Sequence, residues 1–164
     1  MAAPVKSSRI TPTIQAMPDG YKSVVAFSLN PFICLWERAI TFSGRDGGEP
    51  IPYSSMHSVD YLNFRPRALV KGTDLVMRCG YDPRAFNEGD ASIHQSLDAM
   101  LNTDQTITQF FPSGAWVAFF GWLRSAIYNE HTEGNPPEVT ITVTPSFWDA
   151  TNSVAAGPAY GTGT

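Results

Sequence analysis

The chain has 164 residues, 43% hydrophobic and only 16% charged, with a formal net charge of −4. That gives room for one domain with a real core, no global attraction for nucleic acid or an anionic membrane, and no run near the ~20 apolar residues a spanning helix needs. The charged fraction is below the usual ~25%, as it is where much of the outside meets other protein or where a β protein is rich in Thr, Ser and Gly; 13 Gly and 13 Pro favour turns and strands over long helices.

Residues 1–20 are polar and punctuated by Pro4, Pro12 and Pro18. They read as an extended N-terminal arm with too little to bury alone, which favours docking on another subunit. No apolar leader opens the chain. Cys34 and Cys79 lie far apart among apolar neighbours, where cysteine acts as a small core residue. The default expectation is a soluble protein of a reducing cytoplasm.

Residues 21–145 are expected to form a single mainly β domain. Its first strand covers residues 21–29 and is broken by Asn30-Pro31. Residues 40–42 suit a strand, whereas residues 35–39 fit a strand or a single helical turn. A long loop without structure of its own is expected over residues 43–57, and such loops are usually functional or disordered. Residues 59–64 read as a strand, followed by the one basic cluster, Arg65-Pro66-Arg67 with Lys71 nearby. Leu75, Met77 and Cys79 alternate with Val76, Arg78 and Gly80 as in a half-buried strand.

A helix is predicted over residues 91–102. Ser92 and Gln95 have capping-box spacing, with Asp90 as a competing cap, and Ile93, Leu97, Met100 and Leu101 share one face. So short a helix holds only if packed on a sheet. Residues 106–111 and 116–123 form a hairpin through Pro112-Ser113-Gly114. The second of these strands is apolar on both faces, Trp116, Ala118, Phe120 and Trp122 against Val117, Phe119, Gly121 and Leu123. One face belongs to the core; the other calls for a helix or a second copy of the chain. Residues 129–137 are a polar loop. Val139, Ile141 and Val143 alternate with threonines in the cleanest strand of the sequence. Residues 146–164 read as a C-terminal arm, small and Gly-rich after Phe147 and Trp148.

No catalytic constellation stands out, and no enzyme activity, cofactor or metal is expected. His57, His94 and His131 are isolated and lack ligand spacing. Glu130 and Glu133 flank His131 in a loop, normally just a solvated cluster. A Cys34–His dyad is outweighed by a buried inert thiol, and residues 44–48 lack the Gly-Lys-Ser/Thr ending of a phosphate cradle.

The order of motifs is similar to one family. Tyr21-Lys22-Ser23-Val24-Val25, Asn30-Pro31 leading to Leu35-Trp36-Glu37, the Gly47-Gly48 loop, Tyr81-Asp82-Pro83 before a short helix, Phe111-Pro112-Ser113-Gly114 and the run from Phe120 to Ser125 resemble the tail tube proteins of long-tailed (siphovirus-type) bacteriophages, over residues 20–148. The resemblance implies a β-sandwich or barrel with one flanking short helix, whose copies close into six-membered rings. The rings stack into a virion tail tube, assembled in the bacterial host cytoplasm, that conducts the genome at ejection. It implies self-association and tape-measure, tail terminator and distal tail proteins as partners, with DNA passing the lumen without specific binding and no membrane. The long loop and both arms would cross between neighbours. Candidate assembly-interface residues are Phe42, Arg45, Asp46, Tyr53, Met56, His57, Phe147 and Trp148. A related ring protein (terminator, baseplate component or secretion-tube subunit) is the alternative, and a carbohydrate-binding sandwich using Trp116, Trp122 or Trp148 a more distant one.

Overall fold

The computed structural model describes residues 23–31, 33, 35–52, 64–82, 92–111 and 114–162. The strands are β1 (Val24–Phe27), β2 (Trp36–Thr41), β3 (Arg45–Asp46), β4 (Ile51–Pro52), β5 (Phe64–Arg65), β6 (Lys71–Gly72) and β7 (Leu75–Gly80). After helix α1 (Ile93–Met100) come β8 (Asp104–Phe110), β9 (Trp116–Tyr128), β10 (Glu138–Pro145), β11 (Trp148–Asp149), β12 (Val154–Ala155) and β13 (Ala159–Gly161). The protein is mainly β, built on one seven-stranded antiparallel sheet in the order β1-β8-β9-β10-β7-β2, with β13 also paired to β9.

β1 and β2 stand at opposite ends of that order, yet residues 28–35 join them directly. Val25 and Phe27 from one end and Ile40 from the other meet in the same apolar cluster. The sheet is therefore rolled toward a barrel. Its inner face carries the alternating residues of β7 and β10, all buried: Leu75, Met77 and Cys79, then Val139, Ile141 and Val143. Helix α1 packs into the roll through Ile93, Leu97 and Met100. Ser92 caps the helix, accepting from Gln95 N–H while the Gln95 side chain accepts from the Ser92 N–H. The local spacing thus settles the cap on Ser92 rather than Asp90. Asn102, with a φ of 53°, turns the chain after the helix.

The doubly apolar strand is longer than its pattern suggests, 13 residues ending at Tyr128. Its pairing with β10 steps from Ser125↔Thr142 to Leu123↔Val143, so Arg124 is an extra residue. A bulge of this kind switches the inward set. Phe119 and Leu123 face the core before it; Ala126, opposite buried Ile141, packs on the core after it. The other face is only half covered: Ala118 is buried, whereas Trp116, Phe120 and Trp122 are partly exposed. At the bulge, Arg124 pairs with Asp74 at 2.8 Å, and Asp74 also accepts from Thr144 Oγ1 at 2.9 Å.

Residues 35–39 resolve as strand, since Trp36–Thr41 pairs with β7 through an irregularity between Glu37 and Ala39. Of the stretch expected as a loop without structure of its own, the described residues 43–52 form half of a ribbon. Arg45 and Asp46 pair with Gly72 and Lys71, and Ile51 and Pro52 with Arg65 and Phe64. Its strands are two residues long and exposed, so neither hydrophobic alternation nor a nearby turn signals them. Residues 53–63 and 1–22 lie outside the described residues. The described part of the C-terminal segment returns to its own sheet: β11 and β12 form a small hairpin, β13 pairs with β9, and Ala156 is buried.

Candidate assembly surfaces

The ribbon is rooted firmly. Gly44 and Thr73 face each other through Thr73 N–H to Gly44 O at 3.0 Å and Gly44 N–H to Thr73 Oγ1 at 2.7 Å, and Ser43 Oγ donates to Thr73 O. Further out, Asp46 accepts from Gly48 N–H, and Arg67 Nε donates to the Glu49 carbonyl, both at 2.8 Å. Backbone pairing thus fixes the described part of the ribbon, residues 43–52 and 64–73. On it Leu69 is 85% exposed, Phe64 58% and Val70 53%. Single exposed apolar residues are ordinary, but several on one paired projection mark an interaction surface.

A cleft opens where the ribbon leaves the roll. Its walls include Arg45, Phe111, Phe147, Pro158 and Tyr160, with Gln109 in the interior. The Arg45 guanidinium lies 5.1 Å from the Tyr160 ring centroid, a cation–π arrangement. Phe147, with a φ of 51°, presses its ring on Gly72, where a Cβ would come within 2.8 Å of it. Gly72 is thus a close-approach glycine. A second, larger and more open cleft shares Arg45, Phe147 and Pro158 and continues to Leu69 and Val70. Gln109 is 1% exposed, and among the described residues its Nε2 has no hydrogen-bond partner.

The opposite end of the sheet differs in chemistry. There Glu138 takes Arg38 at 2.9 Å and Arg78 at 3.6 Å. Tyr81, His94 and Tyr128 pack as an aromatic cluster, with His94 4.5 Å from Tyr128 and 5.4 Å from Tyr81. Burial raises the Tyr81 phenol pKa, and burial with the nearby Asp98 carboxylate raises that of Tyr128. The exposed 129–137 loop is a tight turn: Asn135 donates through its N–H to Thr132 O and through Nδ2 to Thr132 Oγ1, and Gly134 has a φ of 84°.

Of the sequence-predicted interface residues, Arg45 and Phe147 line both clefts. Asp46 is exposed at the ribbon root, and Trp148 is 44% exposed on the small hairpin. Phe42 is half-buried with its ring on Phe111. Tyr53, Met56 and His57 lie outside the described residues. Sequence reasoning missed Phe64, Leu69, Val70, Gln109 and Tyr160. The one available signal was Leu69-Val70, an apolar pair flanked by Arg67 and Lys71. Trp116, Trp122 and Trp148, the tryptophans a sugar platform would use, line neither cleft. Among the described residues no three His, Cys, Asp or Glu are grouped to hold a metal ion, and no helix is long and apolar enough to cross a membrane.

A scan against protein-family models gives no match, and a search of curated proteins gives none either. Among solved structures, the chain is similar to a chain of the cryo-EM structure of the anti-feeding prophage (AFP) baseplate, 6-fold symmetrised, at 12% identity and a TM-score of 0.55. The likeness covers 89% of this chain and 94% of that one, so the two share a fold over nearly their whole lengths.

Proposed function

We propose that this protein is a structural subunit of a phage tail-type particle, a virion component that works by joining copies of itself into stacked rings. The observation that carries the reading is the ribbon: a hydrogen-bonded projection holding Phe64, Leu69 and Val70 in solvent beside an apolar cleft. A fold shared end to end with a chain of a six-fold symmetrised baseplate supports it. A ring that stacks needs heterologous contacts, rotation closing the ring and translation repeating it. The role is structural rather than enzymatic. In the tail tube form the rings enclose the conduit for genome ejection, with tape-measure, terminator and distal tail proteins as partners. A chain of net charge −4 suits a lumen that DNA passes without being held.

A second reading, a baseplate ring component, is favoured by the same structural neighbour. Copy number separates the two, since a tube subunit repeats along the tail and a baseplate ring is present once. Electron microscopy of the purified protein tests the shared claim. Rings or tubes are expected; monomers that persist at every concentration would remove it.

A further inference from the structure

The two ends of the rolled sheet are chemically complementary. Gly80 pairs with Glu138 and Tyr128 with Val139, so the 129–137 loop caps one end. The ribbon leaves between Thr41 and Leu75, beside Val76 and Val143 at the other end. The described ribbon carries Arg45, Arg65, Arg67 and Lys71 against Asp46 and Glu49, so cations outnumber carboxylates on it, whereas Glu130 and Glu133 are exposed on the loop. The cleft at the ribbon root repeats this bias inside. Among the described residues, its polar side chains include Gln109, buried with an unpartnered Nε2, and Arg45, and no carboxylate lines it. A buried donor without a partner costs free energy that an incoming acceptor relieves.

We infer that the cleft and basic ribbon root receive the acidic 129–137 loop of a second copy, head to tail. The loop brings carboxylates to the ribbon cations and turn carbonyls to the mouth of the cleft in which Gln109 is buried. Its internal Asn135–Thr132 bonds hold it as a projecting turn, so little ordering is lost on docking. The contact is heterologous and repeats indefinitely along one axis. It rests on the self-association proposed above and specifies which surfaces meet between successive layers.

Charge reversal tests it, with sedimentation and electron microscopy at low and high salt. Glu130→Lys with Glu133→Lys, and separately Arg67→Glu with Lys71→Glu, each raise the concentration needed for head-to-tail association by about tenfold. All four changes in one chain bring it back to within about threefold of the wild type. Gln109→Leu weakens association by about threefold while the monomer melts no lower, since an unpaired donor has been removed. Arg67→Glu also removes the Nε bond to the Glu49 carbonyl within the ribbon. Recovery in the four-change chain, which a broken ribbon would not show, therefore separates lost docking from a lost ribbon, and circular dichroism verifies that each variant folds. The inference is overturned if both reversals leave stacking unchanged, or if the combined variant associates no better than either alone. Loss with the ribbon reversal only points to a different acidic partner and also overturns it. A wild type that stays monomeric at both salts instead removes the self-association reading itself.

Discussion

The rings of Phe42 and Phe111 lie 4.7 Å apart at 38° and close the roll at the ribbon end. Phe42 follows β2, at one end of the strand order, and Phe111 follows β8, the second strand from the other end. Phe42→Ala should lower stability by about 1–3 kcal/mol, less than a full core deletion because the ring is half-buried. A double-mutant cycle with Phe111→Ala should return a coupling of about 0.5–1.5 kcal/mol from denaturant midpoints. Additivity would show that the pair does not hold the roll.

Gly121 sits under the chain where β9 meets β10. A Cβ there would come within 2.5 Å of the Thr144 carbonyl oxygen, and backbone cannot swing aside as a side chain can. Gly121→Ala should cost about 3 kcal/mol or more and lower the melting temperature strongly. By contrast Gly47→Ala, with nothing nearby, should change stability by less than about 0.5 kcal/mol.

The two faces of β9 are separable by charge. Phe119 is 2% exposed in the core, so Phe119→Asp buries a carboxylate and should abolish folding, read as loss of soluble protein. Trp122 is half-covered on the outer face, and Trp122→Asp should fold with a loss of about 1–2 kcal/mol. Equal damage from both would mean that the outer face is as closed as the inner.

Asp149 organises the turn between β11 and β12. Its carboxylate accepts from Asn152 Nδ2 at 2.6 Å and from the N–H groups of Thr151 and Asn152, and the Asn152 side chain is the chief reason its pKa is lowered. A lowered folded pKa means stability that is present above the unfolded value, about 3.9, and lost as pH falls through the folded one. Acid titration should therefore destabilise the wild type more steeply below about pH 4 than Asp149→Asn. Identical acid limbs would show that this carboxylate is not linked to folding.

What could be read before folding was local. The Ser92–Gln95 cap needs only a spacing of three, and Val139, Ile141 and Val143 alternate without interruption. What could not be read depended on partners distant in sequence. The inward set of β9 shifts at Arg124, so the alternation stops being a guide there although the strand continues. Gln105 and Gln109 flank Ile107 on the inner face, where polarity would have placed them outside. Gln105 is held there in part by Leu29, whose N–H donates to its Oε1. The ribbon joins residues 12 to 27 apart, from Pro52↔Phe64 to Arg45↔Gly72, through short strands, and nothing in either half names the other. Of the residues lining the clefts, Arg45 and Phe147 were also named from sequence, because they lie in the long loop and at the start of the C-terminal segment. Leu69 and Tyr160 join them only once the chain is folded.

The most direct measurement compares the wild type with a ribbon-truncated chain by analytical ultracentrifugation and electron microscopy. Asp46 and Lys71 face each other in register, so Asn-Gly in place of residues 47–70 closes a two-residue hairpin at the ribbon root. The account predicts rings or stacked rings from the wild type, and a folded monomer from the truncated chain with a nearly unchanged melting temperature. A wild type that remains monomeric throughout, or a truncated chain that assembles as well as its parent, would contradict it.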